Sequence, residues 1–181
     1  MILQWLQGKK KSSEPQKFTK EIWYLGKKYQ LEAIGTGKRA STKFVDEILH
    51  IQIPEKEFSR KKVYFYLAAW YKKEAKRMMI PLLVHLQNDF GLEYRRVSFK
   101  WLRSRFGSCS SRKNLNFNLI LMQAPWEMTE YVIIHEYCHL RHMNHSKEFW
   151  NFVGEICPNY AEKKKWLKEQ GAHLFDFLRF V

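Results

Sequence analysis

The amino-acid sequence predicts one α+β domain. Strand-like alternations gather before the middle of the chain, helical patterns crowd its last third, and no Gly-Ser linker divides the two. A length of 181 residues is close to the usual size of one domain. Apolar residues make up 45% and aromatic ones 16%, core-forming material that a disordered chain lacks.

Residues 7–17 are polar, carry the run Lys9-Lys10-Lys11 and are broken by Pro15, so residues 1–17 read as a flexible leader to a single domain over 18–181. Residues 18–58 are mainly strands. Residues 22–25, a Gly26-Lys27 turn and residues 29–34 have the pattern of a hairpin, and Leu49, Ile51 and Ile53 alternate on one face. Gly35-Thr36-Gly37-Lys38 lacks the spacing and the following Ser or Thr of a phosphate-binding loop, and reads as a plain turn.

Residues 59–90 are helical. Residues 59–79 contain no Gly or Pro, and Val63, Leu67, Trp70 and Tyr71 fall at helical spacing, with Lys and Arg on the other side. Pro81 is expected to interrupt this helix, with a shorter one running from there to Gly91. Strands return over 95–122, at residues 95–101 and 115–122, separated by a turn of small residues at 103–111. Residues 125–170 are helical again. Pro125 opens a helix expected to run to about His142, Ser146 caps the next, and a Lys-rich third begins at Asn159 or Tyr160.

Lys and Arg number 32 against 18 Asp and Glu, a balance of +14. Such an excess suits nucleic acid or anionic lipid, or else a solvated surface. Lys61-Lys62, Lys72-Lys73 and Lys163-Lys164-Lys165 are scattered over helices, which favours the solvated face. No window approaches the ~18 apolar residues of a membrane span, so no membrane partner is expected. Residues 1–6 are apolar but precede their positive charges, the reverse of a secretory signal. The 3 cysteines form no C-x-x-C pair, which argues against a disulfide scaffold and for a reducing, cytoplasmic setting.

The chemistry is concentrated in one stretch. Of the 7 histidines, His135, His139, His142 and His145 lie together, and the first two frame His135-Glu136-Tyr137-Cys138-His139 inside a predicted helix. Spacing of i and i+4 puts both imidazoles on one face, about 6 Å apart along the axis, as two nitrogens gripping one ion require. Glu136, the next residue round the helix, can reach a water on that ion without binding the ion itself, as a general base does. The preceding Val132, Ile133 and Ile134 mark the helix as mostly buried, where a histidine pair needs partners.

A catalytic zinc takes three protein groups and leaves a place for water. His142 shares the face but lies about 10 Å from His135 along a straight helix, too far to join it on one ion. His145 follows Met143-Asn144, where Asn tolerates the left-handed conformation that ends helices, so the chain can bring it back. His145 is preferred as third ligand over Glu148, with His142 last. With zinc in place, the pKa of its water falls from about 15.7 toward ~7, and Glu136 can take that proton and pass it to a leaving amine. No Ser-His-Asp arrangement competes, and Cys138 faces away from the histidine pair, toward the core.

Arg105-Phe106-Gly107-Ser108-Cys109-Ser110, then Tyr131 through Leu140, Asn144-His145-Ser146 and Phe149-Trp150 resemble the YgjP-like metal-dependent hydrolases, small proteins related to the SprT and WLM metallopeptidases. The similarity is sharp over residues 97–153 and architectural before them. It implies zinc on His135, His139 and His145, with Glu136 as catalytic base. It also implies a minimal zincin-like fold, an antiparallel sheet packed against the motif helix. Two positions depart from the family: Phe106 stands where Trp is usual, and Tyr137-Cys138 where Leu-Ala is common. Arg103, Arg105 and Ser108 either line the cleft as donors to a substrate carbonyl or carboxylate, or form a structural turn.

The function expected is therefore that of a zinc-dependent peptidase acting on protein or peptide. The alternative is a basic nucleic-acid-binding module with a structural or vestigial metal site. That alternative lacks the four protein ligands of a closed structural zinc and leaves Glu136 without a role.

Overall fold

The computed structural model describes residues 15–37 and 39–179. Residues 1–14 of the expected leader and Lys38 of the expected turn lie outside them. The expected hairpin is present as β1 (Lys17–Tyr24) and β2 (Lys27–Thr36), paired antiparallel. β3 (Ser41–Val45) and β4 (Ile48–Pro54) complete a four-stranded sheet in the order β1-β2-β4-β3. Its inner face carries Leu31, Ala33, Leu49, Ile51 and Ile53, all nearly inaccessible to solvent.

α1 (Arg60–Phe90) lies against this face. Ser59 caps it by accepting from the Lys62 N–H, and Gly91 closes it in the left-handed conformation at φ 66°. Val63, Leu67, Tyr71, Ala75, Met79 and Leu83 form one fully buried stripe. The helix runs through Pro81 without a break, a correction to the two helices expected from sequence. Pro81 is exposed, so the Arg77 carbonyl that loses its partner there faces water, while Met79 and Leu83 anchor both sides.

A second sheet is small and has three strands. β5 (Arg96–Lys100), β6 (Gly107–Cys109) and β7 (Asn114–Asn118) pair in the order β5-β7-β6. β7 stops at Asn118, and residues 119–123 form a buried 3-10 turn instead of the strand expected to reach Met122. The α+β class holds. The sheets, however, are mixed rather than wholly antiparallel, since β2 pairs with β4 and β5 with β7 in parallel.

α2 (Trp126–Cys138) runs through the core, followed by α3 (Lys147–Ile156), α4 (Tyr160–Gln170) and a 3-10 segment over Gly171–Arg179. The β1–β2 turn is fixed to the segment that leads into α2. Leu25 and Gly26 donate their N–H groups to the Met122 and Gln123 carbonyls, at 2.8 and 3.1 Å. Gly26 adopts φ +79°, and a side chain there would meet Pro125, the residue that opens α2, at 2.9 Å. No helix among the described residues is long and apolar enough to cross a membrane.

Candidate metal centre

α2 ends at Cys138, with His139 as its C-cap, rather than at about His142. The N–H groups of Leu140 and Arg141 bond back to Tyr137 and Cys138, tightening the last turn and reversing the chain. This reversal brings His145 back over the helix. His135, His139 and His145 each offer one nitrogen, and these atoms lie within 4.8 Å of one another. The Nε2 atoms of His135 and His145 are 3.1 Å apart. Two nitrogens bonded to one zinc at ~2.05 Å in a tetrahedral arrangement would be about 3.3 Å apart, so the spacing suits a shared ion.

Each ring is located by different neighbours. His139 Nδ1 lies 2.9 Å from the His142 carbonyl, so its N–H donates there and Nε2 is left with a free lone pair. This gives His142 its place beside the centre, through its backbone. The His139 ring also stacks on buried Phe149, with centroids 4.5 Å apart. His145 is exposed but stacks on Trp150, which in turn stacks on Tyr160. His135 meets the edges or faces of Tyr131 and Phe149, and its Nδ1 is buried without a hydrogen-bond partner among the described residues.

Burial favours the neutral form of His135 and His139. His135 is pushed down to about 3 by loss of water and by its two histidine neighbours, and His139 is lowered for the same first reason. Neutral imidazole is the form that binds a metal, so the donor set fits a borderline-soft divalent ion such as zinc. Glu148 is exposed and does not join the cluster. Its carboxylate bonds Ser146 and its own backbone N–H, in the first turn of α3.

Glu136 is only 7% exposed and faces β6. Burial pushes its carboxyl up to about 7, opposed by the Cys109 backbone N–H, which bonds it, and by nearby Arg105. A carboxyl poised near neutrality can both take and return a proton. Gly107 makes room for it: a Cβ there would lie 2.7 Å from Glu136 Cγ and 2.8 Å from its Oε1. Cys109 lies beside the carboxylate as a free, half-buried thiol, and its pKa is pushed up to about 11, chiefly by burial. It is therefore a poor nucleophile. Cys138 is fully buried in the core.

Of the three turn residues singled out from sequence, Arg105 and Ser108 line the cleft. Two hollows meet at His135, Glu136 and His145. One of about 610 Å³ is walled by α2, α3 and α4, and one of about 370 Å³ is bordered by Ser108, Cys109 and Met143. Arg105 borders both, whereas Arg103 is exposed and borders neither.

Asn118 was missed by the sequence reading. Fully buried, it donates from Nδ2 to the Leu102 and Arg105 carbonyls at 2.7 and 2.8 Å, and accepts from the Leu102 and Ile120 N–H groups at 3.2 Å. All four side-chain bonding positions are used, and they fix the loop that presents Arg105 and Gly107. Its only sequence signal is an Asn at the end of the alternating strand Asn114–Asn118, too common to single out.

An α+β domain with three histidine nitrogens converging beside a buried carboxylate has the make-up of a metal-dependent hydrolase. The chain belongs to the YgjP-like family: residues 2–170 match its metallopeptidase domain. Among solved structures, the metallopeptidase zymogen of Pyrococcus abyssi abylysin is 22% identical, with a TM-score of 0.46 over 52% of this chain and 96% of that one. The metallopeptidase zymogen of Methanocaldococcus jannaschii jannalysin is 18% identical, with a TM-score of 0.45 over 51% and 95% of the two chains. No curated protein matches in sequence.

Proposed function

We propose that this protein is a zinc-dependent peptidase, with His135, His139 and His145 as the zinc ligands and Glu136 as the general base. The observation that carries this reading is the grouping of three imidazole nitrogens within 4.8 Å, next to a carboxylate that is 7% exposed. Zinc, when bound, supplies Lewis acidity toward water and a carbonyl oxygen. The protein supplies the rest. His135 and His139 present their nitrogens from one helix face, and His145 closes the set from the turn that follows. Glu136 Oε1, set against Gly107, takes a proton from the attacking water and delivers it to the departing amine. Arg105 borders both hollows and is placed to orient a substrate carbonyl or carboxylate. The partner is a protein or peptide chain lying along those hollows.

Purified protein should hold about one zinc per chain by elemental analysis, following the three-ligand pattern of catalytic sites. His139→Ala should lose that zinc. Glu136→Gln should keep it and lose peptide hydrolysis altogether. An active Glu136→Gln enzyme, or a His139→Ala protein with full zinc content, would discard the assignment.

A further inference from the structure

The larger hollow differs from the rest of the cleft in its charge. Its apolar wall comes from Tyr131, Val132, Trp150 and Leu167, and two cations, Arg105 and Lys164, stand at its border. At about 610 Å³ it has room for a bulky side chain together with the backbone that bears it. Glu136 is its only acidic lining residue among the described residues.

Lys164 is the middle member of the run Lys163-Lys164-Lys165, and its neighbours behave differently. Lys163 pairs with Glu130 at 3.4 Å, and Lys165 reaches Glu169 at 4.0 Å. Lys164 instead lies 3.9 Å from the ring centroid of Trp150 and has no ion pair among the described residues. Arg105 likewise makes no ion pair among the described residues, and its backbone carbonyl is fixed by Asn118. A cation held over an aromatic face keeps its donors for an incoming group.

We propose that this hollow selects peptides that carry a carboxylate on a bulky apolar segment, with Lys164 and Arg105 receiving the carboxylate and the wall around Trp150 taking the apolar body. The carboxylate has two chemical sources, the free end of a chain or a Glu or Asp side chain. Either would make charge-assisted hydrogen bonds in a site partly screened from water. The inference rests on the peptidase reading and names the substrate class for it.

The test uses the full chain in two assays. In the first, zinc-loaded protein is given matched peptides ending in phenylalanine or its amide, and internal peptides differing only by Glu or Gln. One matched pair should differ about tenfold in kcat/KM, the size of one charge-assisted hydrogen bond. The pair that differs identifies the source. In the second, metal-free protein is titrated by calorimetry with N-acetylphenylalanine and with its amide, so that no bound metal can attract the carboxylate. The acid should bind about tenfold tighter. Arg105→Gln combined with Lys164→Met, both at exposed positions, should erase the preference in both assays while circular dichroism stays unchanged.

Equal cleavage within both matched peptide pairs, no binding of the acid, or a preference that survives the double variant would overturn the proposal. Failure to cleave any peptide would count against the peptidase reading instead, and the calorimetric arm would still decide this one.

Discussion

Gly107 and Glu136 show how a single missing Cβ shapes the centre. Glu136 occupies the space that any other residue at 107 would need, with 2.7 Å left to its Cγ. Because the clash falls on a side chain, Gly107→Ala should be relieved by moving that carboxylate and should leave the fold intact. With Glu136 as the proposed general base and zinc as the proposed metal, kcat/KM should drop about a hundredfold, the penalty for misplacing a reacting group by roughly 1 Å, with zinc content unchanged. Steady-state kinetics together with metal analysis checks this, and unchanged kinetics would mean that Glu136 does not act from the position described. His135, Glu136 and His139 were legible in the sequence because their relation is local, fixed by the helical repeat. Gly107 and Asn118 were not legible as supports, since each acts on residues far along the chain. Phe149 and Trp150 stood out in the sequence, but their stacking on the imidazoles appears only once α3 has folded back over α2.

At the scale of elements, α1 and α2 are joined by Tyr137, a residue inside the motif. Its ring is fully buried, and its hydroxyl lies 2.9 Å from the Leu86 carbonyl and 3.0 Å from that of Leu92, while accepting from the Leu92 N–H at 3.1 Å. A leucine at this position could not reach the end of α1 in this way. Tyr137→Phe keeps the ring and removes the hydroxyl, leaving buried backbone groups short of a partner. The cost should be about 1–2 kcal/mol, seen in a thermal melt as a fall of roughly 2–8 °C. A melt unchanged within a degree would show that the hydroxyl does not join the helices. Helix and strand content followed from sequence periodicity, whereas element ends did not. α1 passes through Pro81 because packing on both sides outweighs one lost hydrogen bond. α2 stops early because its last turn tightens and the chain reverses. The parallel pairing of β2 with β4 depends on contacts between distant segments, which no local pattern encodes.

Across the whole molecule, the +14 balance is spread widely, yet two of its charges stand at the mouth of the cleft, where Glu136 is the only acid among the described residues that line either hollow. That distribution bears on how the centre is filled as well as on what it cleaves. A doubly charged metal ion approaching Arg105 and Lys164 meets repulsion over distances comparable to the screening length of the solution. Stopped-flow with a zinc-sensitive dye should therefore show the metal-free protein loading slowly in dilute buffer. Raising sodium chloride from about 10 to 150 mM, which shortens the screening length from roughly 30 to 8 Å, should quicken it several-fold. Arg105→Gln with Lys164→Met should flatten that dependence. A loading rate that falls with salt would mean that an attractive field, not a repulsive one, guards the entrance. The same positive rim makes the metal-free protein slow to acquire its ion, and the wait is longest where salt is most dilute.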